Sequence, residues 1–337
     1  MRRLPVVMTP DKPYCDLHIH VGASVAPHIM WSIAHNAGFK LPVKSYFDFV
    51  DMVTVNPRKV KSLEDYLRIL HEWTERIQSS PTAMERSVYE IIGKEYRGSR
   101  CERIELRFNP MKRNLGGERD LDHIIHACLR GMDRACLEYG VEAGLIFCLG
   151  REFTADVNEK IMAKALKYQD RGVVGIDLAG TEREAVELTE SVEKYARIFA
   201  TARDAGLGTT VHTGETTATS GEGVIACLEH LKPDRIGHGV RAAYSDEATQ
   251  RLADTGTVLE ICPTSNLNTR AVRHLEEFRY ILGTFLEAGV RLTINTDGTY
   301  LCETNIHNEH RLLAEAEVLS TDELEQARKL AFEVSFI

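Results

Sequence analysis

A closed α/β barrel of eight parallel strands, each followed by a helix, is the fold this sequence predicts, and three observations predict it. Short runs of apolar and β-branched residues recur eight times, stretches with helical spacing separate them, and polar side chains sit where the runs end. Strands that alternate with helices pair in parallel, and eight such units suit a (β/α)8 TIM-like barrel better than an open doubly wound sheet. Residues 1–337 read as one domain, because no repeat, low-complexity tract or Gly/Ser/Pro linker divides them.

The first run, 15–20, ends in His18-Ile19-His20. A helical insertion over about 24–99 follows, longer than a barrel crossover needs and of the kind that forms lids. It holds three helical candidates: 26–36, a run opened by Ser62 with Glu64 and Asp65 in its first turn, and 82–96. Further strands are expected at 103–109, 144–149, 173–178, 208–212, 235–239, 258–262 and 291–295. Between the fourth and fifth, Ala185, Leu188, Val192, Ala196 and Phe199 recur at steps of three or four, which predicts a helix over 184–205. The chain closes in a helical pattern with an N-cap at Ser320-Thr321 and acidic residues Asp322 and Glu323 behind it.

Composition excludes some functions. Forty-one Lys plus Arg against 50 Asp plus Glu give a formal charge of −9, which speaks against broad contact with nucleic acid or an anionic membrane surface. No apolar run approaches the ~18–20 residues of a membrane span, and the first residues are too polar for a signal peptide, so a cytoplasmic location is expected. The eight cysteines form no C-x-x-C pair and read as reduced, buried thiols.

The strand ends carry the chemistry. His18 and His20 stand two apart on a strand and point to one face, as two ligands of one metal must. The fifth run ends in His212-Thr213-Gly214-Glu215, the sixth in Gly237-His238-Gly239 and the eighth in Asn295-Thr296-Asp297-Gly298. Three imidazoles and a carboxylate suit Zn²⁺ and related divalent ions, and a nearby carboxyl and imidazole can manage protons in a hydrolytic reaction.

These motifs, with Leu178-Ala179-Gly180, Arg235-Ile236-Gly237-His238-Gly239 and Glu260-Ile261-Cys262-Pro263-Thr264-Ser265-Asn266, resemble in order those of the adenosine deaminase family, barrels of the metal-dependent amidohydrolase superfamily. The resemblance runs from about Lys12 to Ile337. It implies one zinc per chain held by His18, His20, His212 and Asp297. It implies that Glu215 protonates a purine ring nitrogen while hydroxide attacks C6, that His238 holds the hydroxide, and that Asp297 helps orient the water. Gly180 would meet the purine edge through its backbone amide, and His20, Gly22 and Gly298 would flank the substrate. The implied reaction is hydrolytic deamination of a 6-aminopurine nucleoside or a derivative, a small-molecule substrate, with release of ammonia.

Two positions depart from the family pattern. Gly22 stands where an acidic residue commonly meets a ribose hydroxyl, and Gly298 where a second Asp meets a ring nitrogen. The expectation is freed space at Gly22 for a larger or anionic 5′ group, room beside the five-membered ring at Gly298, and poor use of adenosine. Other polar features take plainer readings. Glu303, His307, Glu309 and His310 suggest a polar helix face, His123 and His126 a helix surface, Gly221-Glu222-Gly223 a helix start, and Met111-Lys112-Arg113 a solvated charge cluster near the mouth. A related ester or amide hydrolase with two bridged metals is disfavoured because residues 173–180 contain no lysine. A silent purine-binding protein is disfavoured by the intact Glu215 and His238.

Overall fold

The computed structural model describes residues 11–55, 58–115, 117, 120–182 and 192–337. Its eight strands are β1 (Tyr14–His20), β2 (Cys101–Phe108), β3 (Glu142–Gly150), β4 (Val173–Ala179), β5 (Gly208–Thr213), β6 (Arg235–His238), β7 (Val258–Ile261) and β8 (Leu292–Ile294). They form one parallel sheet in the order of the sequence. The seam between β8 and β1 is closed by the backbone of later site residues: Asp297 N donates to His18 O and His20 N donates to Asp297 O, each at 2.8 Å. The predicted barrel is therefore the observed fold.

Burial explains the strands. Leu17, Ile19, Leu106, Phe147, Leu178, Val211 and Ile236 are wholly buried, as expected of parallel strands covered on both faces. At the base of the barrel the chain end closes the floor. Ser335 Oγ and Phe336 N donate to Glu105, and the Phe336 ring lies 3.5 Å from the Arg235 guanidinium. No helix among the described residues is long and apolar enough to cross a membrane.

After β1 the insertion supplies helices Pro27–Asn36, Tyr46–Val53, Leu63–Ile69, Glu75–Ile77 and Pro81–Ser99. Ser45, Ser62 and Ser80 each cap a helix by accepting from a backbone N–H three residues on, at 3.1, 3.2 and 3.3 Å. Helix Tyr46–Val53, which the sequence reading leaves out, follows from that Ser45 cap. Between Ile69 and Glu75 the chain widens into a π-helical turn, Leu70–Thr74, a distortion that often marks functional sites. Helix Pro81–Ser99 packs on Leu121–Tyr139 so closely that a Cβ at Gly131 would stand 2.3 Å from Glu85 O.

Of the helix expected over 184–205, the described part is Val192–Asp204; Ala185 and Leu188 lie outside the described residues. The last helix, Thr321–Glu333, opens with a capping box at Ser320 and Glu323 and ends four residues before Ile337. Two plain readings are corrected. Arg113 is buried and paired with Glu75 at 2.9 Å, so the 111–113 stretch is no solvated cluster. Glu309 and His310 are buried as well, Glu309 accepting from Thr264 N at 2.9 Å and from the Thr304 hydroxyl, so helix Ile306–Glu315 turns polar groups inward. His123 and His126 are exposed on helix Leu121–Tyr139, and Gly221–Gly223 open helix Ser220–Ala226, as expected.

Candidate active site

The C-terminal ends of β1, β5, β6 and β8 bring His18, His20, His212, His238 and Asp297 into one cluster. His20 Nε2 stands 3.1 Å from His212 Nε2 and 3.5 Å from Asp297 Oδ1, and His18 Nε2 stands 3.8 Å from the same oxygen. The opposite ring nitrogens show why these faces converge. His18 Nδ1 donates to Glu260 Oε2 at 2.7 Å and His212 Nδ1 donates to Asp177 Oδ1 at 3.1 Å, which leaves each Nε2 a lone pair aimed at the centre. His18 Nε2 is buried with no partner among the described residues.

His20 Nε2 thus stands against the His212 lone pair, beside a carboxylate oxygen and the orphaned His18 nitrogen, so four donor atoms converge on one point. That donor set fits a divalent metal of zinc type. Burial, reinforced by Arg107, lowers the His18 pKa well below the ordinary histidine range, and burial takes His20 down to about 3. Both are thus neutral at physiological pH, the form in which an imidazole can bind a metal. Burial pushes on Asp297 in the opposite sense, but His20 and His238 hold it below its ordinary value, and Ser265 Oγ donates to its second oxygen at 2.5 Å.

Behind the histidines lies a buried ionic layer. Arg107 on β2 donates to Glu260 Oε2 at 2.9 Å and to Asp177 Oδ2 at 3.3 Å, so one guanidinium braces both carboxylates that orient His18 and His212. Sequence reasoning assigned Arg107, Asp177 and Glu260 no role. Charged residues inside strands that are buried on both faces were the available signal, since such charges persist only when paired.

The proton-handling groups flank the cluster. Glu215 accepts from Thr269 Oγ1 at 3.1 Å and has Oε2 3.7 Å from His238 Nε2. Burial, with Glu182 and Asp297 nearby, raises its pKa to about 8, so it carries a proton at neutral pH. Glu182, also missed in the sequence, fixes the turn that presents it by accepting from Glu215 N at 2.9 Å and Thr216 N at 2.8 Å. Asn266 Nδ2 donates to His238 Nδ1 at 2.9 Å, an arrangement that leaves the proton of a neutral His238 on Nε2, toward Glu215. His238 and Asp297 hold φ of 62° and 64°, a left-handed backbone that costs energy for residues with a Cβ.

A cavity of about 40 Å³ adjoins these groups, lined by His20, Tyr66, Gly180, Glu182, His212, Glu215, His238 and Asp297. A second, of about 50 Å³, shares His20, Leu67, Leu70, Ala179 and Gly180 and continues to His71, Glu75, Asn109 and Lys112. Gly180 has φ +112°, and a Cβ there would meet Glu152 Oε2 at 2.7 Å, so only glycine lets the chain pass.

The two departures look different in three dimensions. The space expected beside Gly22 is filled: a Cβ at that position would lie 2.8 Å from Arg113 Nη2, 2.9 Å from Leu70 Cδ1 and 3.0 Å from Glu75 Cγ. The insertion has thus put another carboxylate, Glu75, where the missing one would start. At Gly298 a Cβ would lie 2.6 Å from Ala23 Cβ and 2.7 Å from the Tyr66 hydroxyl, so no room is left there either.

Comparison with known proteins agrees with this geometry. The profile of the adenosine deaminase family matches residues 13–337. An adenosine deaminase of Clostridium kluyveri is 30% identical over 327 residues, covering 96% of this chain and 89% of its own. The fold matches an N6-methyl-AMP deaminase of Arabidopsis thaliana at TM-score 0.78 and 22% identity, covering 96% and 92% of the two chains. It also matches an amidohydrolase of Burkholderia ambifaria with bound zinc at TM-score 0.82 and 21% identity, covering 96% and 86%. With histidines and a carboxylate set for a metal beside a protonated glutamate, and with that profile matched over nearly its whole length, the chain belongs to the adenosine deaminase family of metal-dependent aminohydrolases.

Proposed function

We propose that this enzyme uses one zinc ion per chain to deaminate a 6-aminopurine nucleoside or a 5′-substituted or base-modified derivative by hydrolysis, releasing ammonia in the cytoplasm. The observation that carries the reading is Glu215, kept protonated by burial and set beside His238 and the converging histidines. His18, His20, His212 and Asp297 would hold zinc, which when bound supplies an activated water. Glu215 donates its proton to the ring nitrogen next to C6, which makes that carbon electrophilic without exposing a full charge to solvent. His238 steadies the developing charge on the attacking oxygen through its Nε2–H. Asp297 orients the attacking oxygen, and the Gly180 amide meets the purine edge.

The second cavity gives the sugar side of the substrate its surroundings. Glu75, ionised through Arg113 and His71 against the pull of burial, can accept from a ribose hydroxyl. Lys112, His71 and the unpartnered Nδ2 of Asn109 lie near it and suit a polar or anionic 5′ substituent. The Arabidopsis protein named for N6-methyl-AMP supports a nucleotide-like substrate. Both cavities are far smaller than the ~300–1,000 Å³ of ligand sites, so residues 63–77, which cover them, must move outward to admit a purine.

Ammonia release from adenosine, its 5′-phosphate, a 5′-aryl analogue and an N6-substituted analogue, the last read as released amine, tests this reading with zinc-loaded protein. Turnover of at least one, with higher catalytic efficiency for a modified compound than for adenosine, is expected. Silence toward all of them would overturn the deaminase reading, and preference for plain adenosine would overturn the substrate assignment.

A further inference from the structure

Thr269 ends the short helix Pro263–Asn268 that follows β7, and it is buried against Glu215. Its hydroxyl lies 3.1 Å from Glu215 Oε1 and 3.5 Å from Asn266 O. A hydroxyl has one proton to give, and the more distant Asn266 carbonyl already accepts from Val272 N at 2.9 Å, so the carboxyl oxygen receives it. An oxygen that accepts this bond is the poorer place for the acid's own proton, which leaves Oε2 to carry it. Oε2 faces His238 Nε2 at 3.7 Å, beyond hydrogen-bond distance, so neither group consumes the other's proton.

The same turn sets the second proton carrier. Asn266, three residues before Thr269, donates to His238 Nδ1 and leaves the imidazole proton on Nε2. Two side chains of one turn thereby present both protons to the cavity that Glu215 and His238 line, while Glu182 holds the Glu215 backbone N–H. We propose that Thr269 is a positioning residue, which by donating to Oε1 places the transferable proton of Glu215 on Oε2, the oxygen beside His238. This rests on the deaminase reading above and adds to it the atom from which the ring nitrogen is protonated. Thr269 lines neither cavity, so it acts through Glu215. When the Oε2–H bond breaks and the ring N–H bond forms, the electron pair stays on the carboxylate, and a hydrogen bond to that anion is stronger than one to the acid. The groups that act on this carboxyl come from several elements: Glu182 after β4 and Asp297 after β8 disfavour its charge, whereas His212 on β5 and Thr269 favour it.

The test compares zinc-loaded wild type, Thr269→Val and Thr269→Ser on adenosine and its 5′-phosphate, with kcat and KM measured from pH 6 to 10. Val keeps the branched shape without the donor, and Ser keeps the donor. Thr269→Val is expected to lose roughly 3- to 15-fold in kcat with KM little changed. Its basic limb is expected to move to higher pH, because Glu215 without this bond holds its proton more tightly. Thr269→Ser is expected to restore both. An unchanged kcat in Thr269→Val would overturn the proposal, as would a loss with the basic limb unmoved or a Ser variant no better than Val. Metal content and melting temperature, expected unchanged, guard against misfolding; if Thr269→Val fails there, Thr269→Ala against Thr269→Ser isolates the hydroxyl by the same readouts. Silence of the wild type toward both compounds and the rest of the panel is a separate result: it removes the deaminase reading and this assignment with it.

Discussion

Arg107 and Glu260 meet at 2.9 Å, through the same carboxylate oxygen that receives the His18 Nδ1 proton at 2.7 Å. A residue on β2 thereby sets the His18 ring on β1 by way of β7. Both side chains are wholly buried, and removing Arg107 leaves Asp177 without a cation and Glu260 with Arg235 alone. Arg107→Met is expected to destabilise the fold by about 3–5 kcal/mol. Glu260→Gln keeps the shape and is expected to weaken metal retention by roughly 10- to 100-fold. Thermal unfolding and competition with a chelator measure the two; zinc affinity unaltered in Glu260→Gln would remove this carboxylate from the ligand-orienting role.

Purified protein is expected to carry about one tightly held divalent ion per chain, zinc when the ion is identified by elemental analysis. His18→Ala or His212→Ala is expected to strip it, because each loses an Nε2 that a carboxylate has already aimed. Full metal content in both variants would refute the ligand assignment.

Glu215→Gln preserves shape and leaves the neighbouring histidine cluster in place but removes the transferable proton. Turnover is expected to fall by at least ~10²–10⁴-fold while substrate binding is largely kept. Steady-state kinetics that separate kcat from KM provide the check, and near-normal kcat would show that the ring is activated by another group.

The parts of the site that were legible in the sequence are those set by a single strand and its end. The spacing of His18 and His20 fixes a shared face, His238 ends β6, and Glu215 and Asp297 lie two and three residues past the ends of β5 and β8, so barrel topology alone brings them together. What was not legible depends on contacts between elements far apart in the chain. Gly22 reads as empty space in one dimension, yet Glu75 and Arg113, 53 and 91 positions later, fill it. Tyr66 reaches Gly298 across 232 positions. The charge on Arg113 looked solvated because nothing in the neighbouring sequence announces Glu75, and the partners of Arg107, Asp177 and Glu260 were not legible because their pairing exists only inside the closed barrel.

Glu309 provides a pH signature of this inward-facing polarity. Its carboxyl is wholly buried, and burial raises its pKa from 4.5 to about 7, even though Thr264 and Thr304 donate to it. The folded state therefore holds the proton more tightly than the unfolded chain does. The resulting stabilisation is complete below about 4.5 and is lost as pH rises through about 7, where the buried group must ionise. A shift of this size corresponds to on the order of 3 kcal/mol. Glu309→Gln is neutral at every pH, and its amide can still accept from Thr264 N. The melting temperature of the Gln variant relative to wild type is expected to rise from pH 5 to about 7 and to level off above that. Melting curves for both zinc-loaded proteins across that range decide the matter: a difference that stays constant with pH would mean that Glu309 is ionised in the folded protein throughout.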